Sequence, residues 1–343
     1  MALFAIAAIL VVAACGDDGD DAASGAGDGA SVTIADKGFS ESRIVAEAYA
    51  QALAAQGFST EVTSLASTEI ADKAIRQGSI DVYPEYVGTA YLNVLNLKAE
   101  DAPAEPDAQF DLVRDGYVDR GLTALTPAPF NNGNEVACTQ EAVDQYGITT
   151  LSDLGEASPN LVYSANAEHL TRPDGLPLLE SQYGVDFKDV RTVDISLRYK
   201  PIEDGQAQCV YAFGTDPMLG ELPLVVLEDD KGTFTGGVSF RTFPVVNTEW
   251  LESLTPEART AFTETLDSVN AAFTAEAIRP LIARVEIDKE DPDVVAGEFL
   301  ETAGILCLLF GGGGGGGGFF PPRARRRRSR RGRRRPRRRR APG

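Results

Sequence analysis

The sequence predicts a two-lobed α/β clamshell with two crossings between its lobes. Short strand-like runs alternate with amphipathic helical runs over residues 31–306, two proline-marked stretches interrupt that rhythm, and the run ends in helices with no strands among them. Alternation of this kind favours parallel strands with helices laid against the sheet.

The first lobe opens on Val32-Thr33-Ile34, a short strand. Ser40 stands where a helix N-cap belongs, ahead of an apolar stripe of Ile44, Val45, Ala48, Ala52 and Leu53 that Gly57 ends. Glu61-Val62-Thr63 gives the next strand, and a helix from Thr68 to Gln77 stops at Gly78. Ile80 to Tyr83 extend again; a helix over roughly 108–120 ends at Gly121, and Leu122 to Leu125 follow as strand. Thr126-Pro127-Ala128-Pro129 cannot continue either pattern and marks the first crossing.

A second set begins at Val136. Its helices are Glu141 to Tyr146 and Gly175 to Tyr183, and its strands are Leu161 to Ser164, Gln208 to Phe213 and Leu224 to Leu227. Phe243-Pro244-Val245-Val246 is the return crossing, and helices around Pro256–Val269, Glu276–Ile282 and Val294–Leu300 pack back on the first lobe. Lobe I is therefore residues 31–129 with 244–306, lobe II is residues 130–243, and a ligand cleft is expected between them.

A chain of 343 residues is long enough for two cores, and 43% hydrophobic with 8% aromatic residues fits a globular protein. The formal charge of −19 averages two unlike pieces. Residues 323–340 hold 14 of the 32 Lys and Arg side chains, which leaves 18 basic against 51 acidic side chains in the first 318 residues. Such a surface repels nucleic acid, attracts cations and suits a saline medium that screens self-repulsion.

Both ends fall outside the two-lobed plan. Ala2 to Ala14 form an apolar run too short to span a bilayer, so residues 1–14 read as a signal peptide. They lead into Val12-Ala13-Ala14-Cys15-Gly16, which resembles the bacterial lipobox; Cys15 would carry the lipid, and residues 15–30 form a flexible tether. No Lys or Arg precedes the apolar run, which points to a start upstream. Residues 307–343 are a low-complexity tail of eight glycines (Gly311 to Gly318) followed by an arginine block. A homopolymer followed by an abrupt reversal of composition reads as a shifted reading frame in GC-rich DNA; a basic nucleic-acid arm is the alternative.

An exported chain lets Cys138 and Cys209, in two predicted strands of lobe II, pair as a disulfide, with two buried thiols as the alternative. His169 is the one histidine and no paired Cys spacing accompanies it, which argues against a metal site. No nucleophile elbow or phosphate loop stands with it either, which weighs against a bilobal enzyme and against any cofactor.

The run Asp81-Val82-Tyr83-Pro84-Glu85-Tyr86-Val87-Gly88-Thr89 is the most informative segment. It sets an aromatic face, a glycine that permits close backbone approach and a hydroxyl side by side. These suit a small ligand with a bulky cation at one end and an anion at the other. A quaternary ammonium cannot donate hydrogen bonds, and ring faces attract it without the desolvation cost of a buried carboxylate.

Several stretches, in order, resemble the substrate-binding proteins of ABC importers for glycine betaine, carnitine, choline and proline betaine. They are Lys37-Gly38-Phe39-Ser40-Glu41, Ile80 through Thr89, Leu151-Ser152-Asp153-Leu154, Arg172-Pro173-Asp174-Gly175-Leu176-Pro177, Leu197-Arg198-Tyr199-Lys200, Phe213-Gly214-Thr215-Asp216, Leu227-Glu228-Asp229-Asp230-Lys231 and Val295 through Leu300. The resemblance covers about residues 31–306 and implies a periplasmic-binding-protein fold of the type II kind. It also implies a partner permease and ATPase, and no chemistry.

For the site, the resemblance implies tyrosines caging the cation, with Tyr86 and Tyr199 at two such positions. Phe213 stands at a third, keeping the ring without the hydroxyl. A fourth ring is expected near Asn134, where this chain has Asn131-Asn132-Gly133-Asn134-Glu135, so one wall of the cage departs from the pattern. Lys37, Thr89 and Arg172 stand where family members hold the ligand carboxylate. The chain is thus expected to be a lipid-anchored, extracytoplasmic receptor for a quaternary-ammonium compatible solute. A same-fold receptor for a basic amino acid or aromatic compound is the rival, made admissible by Asn134 and Phe213.

Overall fold

Two five-stranded sheets form because the β-branched and aromatic runs pair in two separate groups. The computed structural model describes residues 25–234 and 237–306. Among them the strands are β1 (Ser31–Asp36), β2 (Ser59–Ser64), β3 (Val82–Tyr86), β4 (Leu122–Ala124), β5 (Asn134–Thr139), β6 (Val162–Ala165), β7 (Asp189–Thr192), β8 (Cys209–Phe213), β9 (Leu224–Val226) and β10 (Thr242–Asn247). The signal-peptide segment, Cys15 and the 307–343 tail lie outside the described residues.

The first sheet has the order β2-β1-β3-β10-β4 and the second β7-β6-β8-β5-β9. In the first, β1 runs parallel to β2 and β3, while β10 is antiparallel to both β3 and β4. The second repeats the scheme: β6 is parallel to β7 and β8, and β5 is antiparallel to β8 and β9. In each sheet the antiparallel member is the strand on which the chain arrives from the other sheet. The sheets are therefore mixed rather than purely parallel. The return crossing at Phe243–Val246 is also more than a link, since β10 is buried along its whole length. Its Pro244 lies directly opposite Pro84 of β3, so the N–H groups that prolines lack are missing at a single rung.

The helix Ser40–Ala55 starts one residue earlier than its sequence suggests: Phe39 is the N-cap residue, and no side chain caps it. Its apolar stripe packs into one core with the helices Pro256–Ala272, Ala275–Glu286 and Pro292–Thr302. Burying a side chain such as Phe262 or Leu53 in that core stabilises by about 1.5–3 kcal/mol. Elements with no counterpart in the predicted pattern include the helix Leu151–Ala157, with a Thr150–Asp153 capping box, the exposed edge strand β7, and the short helix Thr248–Ser253. A further apolar cluster crosses between the sheets, joining Phe39 and Tyr86 to Tyr163, Tyr211 and Phe213. That cluster is where the site lies.

Candidate functional site

Strand ends deliver the site. β1 stops at Asp36, and Gly38, at φ +79°, turns the chain so that Lys37 and Phe39 lie at its C-terminal edge. Parallel to it, β3 ends on Tyr86 and continues into the turn that carries Thr89. A Cβ at Gly88 would come within 2.7 Å of the Phe240 ring, so this glycine admits that ring against the backbone. From the second sheet, Asn134 of β5 sits directly opposite Phe213 of β8, and Tyr211 shares a face with Phe213 two residues away. The loop after β6 carries Asn166, Glu168, His169 and Arg172; Gly175 holds it tight, since a Cβ there would lie 2.1 Å from the His169 carbonyl oxygen.

These groups line one cavity between the sheets. Five rings run through it in unbroken contact. Phe39 lies 6.0 Å from Tyr86 and 5.3 Å from Phe213 between centroids, Phe213 lies 5.0 Å from Tyr211, and Tyr211 stacks on His169 at 3.8 Å. Burial, with Arg172 adding to it, drives the His169 pKa down to about 3. The imidazole is therefore neutral and acts as another flat wall, its Nε2 3.1 Å from the Tyr163 hydroxyl.

The charged groups of the lining are matched in pairs. Arg172 donates to both carboxylate oxygens of Asp174, at 2.8 and 2.6 Å, and to Thr89 Oγ1 at 3.2 Å. Burial works to raise the Asp174 carboxyl, but Arg172 holds it below the usual range. Lys37 is bonded to Glu85, lies 3.4 Å from Thr68 Oγ1 and sits 4.8 Å above the Tyr86 ring centroid. Its ammonium thus already touches the face expected to take a ligand cation. Asn134 accepts from the Tyr211 hydroxyl at 2.7 Å and donates towards Asp174 at 3.4 Å, filling the wall where a ring was expected.

Of the residues singled out in the sequence, Lys37, Tyr86, Thr89, Asn134, Arg172 and Phe213 come together here. Tyr199 does not. It packs with Ala137, Val210 and Ala212, which point to the opposite face of the second sheet from Tyr211 and Phe213. Its hydroxyl donates to Asp216 at 2.6 Å, and Arg198 lies 4.9 Å from the centroids of both the Tyr199 and Phe213 rings. Tyr199 therefore braces the cage from behind. Phe39, Tyr211, Phe240, Asn166 and His169 were not picked out as ligand contacts; the two-residue spacing of Tyr211 and Phe213 on one strand was the available signal.

Glu41 was missed as well. Buried behind Tyr86, it accepts from the Tyr86 hydroxyl at 2.7 Å, Asn132 at 2.9 Å and Thr215 at 2.6 Å. Desolvation outweighs these three donors and pushes its pKa up to about 7. Cys138 and Cys209, register partners on β5 and β8, are joined as a disulfide four rungs from the Asn134–Phe213 pair.

Rings and fixed dipoles gathered between two lobes, at strand ends, are the construction of a receptor that closes over a small solute. The chain belongs to the family of substrate-binding domains of ABC-type glycine betaine transport systems, which it matches over residues 30–302. This is a family of extracytoplasmic binding proteins rather than enzymes. A glycine-betaine-binding protein of Pseudomonas aeruginosa is 30% identical over 83% of this chain and 91% of its own length. An ergothioneine transport permease/ergothioneine binding protein of Helicobacter pylori is 31% identical over 68% of this chain, and the match spans 40% of that longer protein. A crystal structure of a glycine betaine/carnitine/choline ABC transporter shares the two-lobed fold, with a TM-score of 0.58 and 23% identity over 80% of this chain and 99% of that one.

Proposed function

We propose that the cavity captures a quaternary-ammonium compatible solute, of the glycine betaine, choline or carnitine kind, and that the chain hands it to a permease and ATPase for osmoprotection. One observation carries this: rings from both lobes and the Arg172–Thr89 pair line the same cavity. Lys37 and Arg172 are each matched by a carboxylate, so the lining favours a zwitterion or cation over a bare anion. Binding and release do the work, through a shift between open and closed lobes. The lipobox-like sequence at Cys15 supports tethering to the outer face of the cell membrane.

Desolvated cation–ring contacts of roughly 0.5–2 kcal/mol each, with charge-assisted bonds to a carboxylate, support dissociation constants near the micromolar range, about −8 kcal/mol. Titration calorimetry with glycine betaine, proline betaine, carnitine, choline and ergothioneine tests the proposal. Heat from at least one of them is expected, and none from any would end it. The Helicobacter relative supports a second reading, a bulkier betaine with a heteroaromatic body, and the neutral His169–Tyr211 stack is a fitting wall for such a ring.

A further inference from the structure

We infer that the ligand carries a hydrogen-bond donor besides its methylated ammonium, and that the side-chain amide of Asn166 reads it. This deepens the quaternary-ammonium proposal and rests on it. Asn166 follows the last residue of β6 and lines both the cavity and the open groove at its mouth. It is 8% exposed, and its Oδ1 is buried without a hydrogen-bond partner.

Among the described residues, every other polar side chain of the cavity lining is engaged. Lys37 and Thr68 bond each other, Asn132 bonds Glu41, Asn134 bonds Tyr211, Glu168 accepts from the Thr68 backbone, and Arg172 bonds Thr89. Asn166 alone makes no side-chain hydrogen bond.

Leaving a buried amide unmatched is costly, and an apolar residue of similar size would avoid the cost entirely. Its neighbour in the lining, Ile195, shows that apolar side chains fit this wall. The Thr68–Glu168 bond, 3.1 Å across the cleft, belongs to the same cavity lining as Asn166. An amide presents an acceptor oxygen and two donor hydrogens. Glycine betaine has no N–H or O–H group and can never satisfy that oxygen. A hydroxyl or a ring N–H on the ligand can, while a neighbouring acceptor takes the amide hydrogens.

The test compares glycine betaine with choline and carnitine, which carry a hydroxyl, and ergothioneine, which carries a ring N–H. Calorimetry at pH 7 would use the whole chain and its Asn166→Ala variant. The native protein is expected to bind at least one donor-bearing compound ~10-fold or more tighter than glycine betaine. Asn166→Ala should weaken that compound roughly 5- to 20-fold, the effect of one lost buried hydrogen bond, and at least ~3-fold more than it weakens glycine betaine. Equal or tighter binding of glycine betaine by the native protein overturns the inference and leaves the broader proposal standing. An equal loss for all ligands in the variant also overturns it. Silence from every compound overturns both. The ranking by the native protein decides the matter even if the variant folds poorly.

Discussion

At the scale of single residues, Tyr86 has two separable roles. Its ring faces the cavity and its hydroxyl donates to Glu41 at 2.7 Å. Tyr86→Phe should keep ligand affinity within ~5-fold, whereas Tyr86→Ala removes a ring face and should weaken binding roughly 10- to 50-fold by calorimetry. Equal losses in the two variants would move the role from ring to hydroxyl. Glu41 allows a pH prediction. Its folded pKa, near 7, lies above the ordinary carboxylate value of 4.5, so the folded state holds the proton more tightly. Its contribution to stability is complete below about pH 4.5 and is lost as pH rises through about 7, an effect on the order of 3 kcal/mol. Glu41→Gln, which cannot titrate, should show a flatter melting temperature than the native protein between those pH values. Parallel curves would refute it. Burial pushes Glu135 up to about 7 as well, but it is common to the two proteins and cancels in the comparison. Tyr86 could be read from its motif, because ring, glycine and hydroxyl stand within four residues. Glu41 could not, since a glutamate at the start of a helix looks like a solvated favourable charge until Tyr86, Asn132 and Thr215 close over it.

At the scale of elements, the parity of β5 and β8 explains both a success and a failure. Cys209, Tyr211 and Phe213 point to one side, opposite Cys138, Val136 and Asn134. The disulfide and the cavity therefore share a face. The alternation of β8 could have shown that Tyr211 travels with Phe213, but nothing local said that Tyr199, outside any strand, would pack beneath the other face. Boundaries marked by glycine were read well: Gly57, Gly78 and Gly121 all adopt positive φ just past a helix. The exposed edge strand β7 has too few buried positions to leave a pattern, and its pairing with β6 is set by the sheet rather than by its own residues. The disulfide closes a span with a sequence separation of 71, for which chain entropy gives about 4 kcal/mol. A Cys138→Ala, Cys209→Ala double variant should lose about that much in denaturant unfolding. Ligand affinity should stay within ~3-fold where the variant is folded, because Val136–Tyr211 and Asn134–Phe213 hold the cavity face by packing. Unchanged stability would mean that the unfolded chain is not restrained by the bridge.

At the scale of the whole molecule, two sets of charges must be kept apart. The first spans or supports the cleft: Arg172 with Asp174, Asn93 with Asp174, Lys37 with Glu85 and Arg198 with Asp216, all with at least one buried partner. The second is the acidic excess of 51 carboxylates over 18 basic side chains in the first 318 residues, and most charged side chains in the described part of it are exposed. Salt reaches the two sets differently. The screening length shrinks from about 30 Å at 0.01 M to about 3 Å at 1 M, which relieves repulsion between exposed charges and scarcely touches buried pairs. Potassium chloride should therefore raise the melting temperature by several degrees between those concentrations, and the calorimetric affinity for the ligand should change far less than the stability. Chloride is the right salt, because sulfate would stabilise almost any folded chain by exclusion from its surface. A melting temperature that stayed level or fell would show that the acidic surface is already offset by its local ion pairs, such as Arg284 with Glu290 and Glu298, and that the excess charge exerts no net strain on the fold.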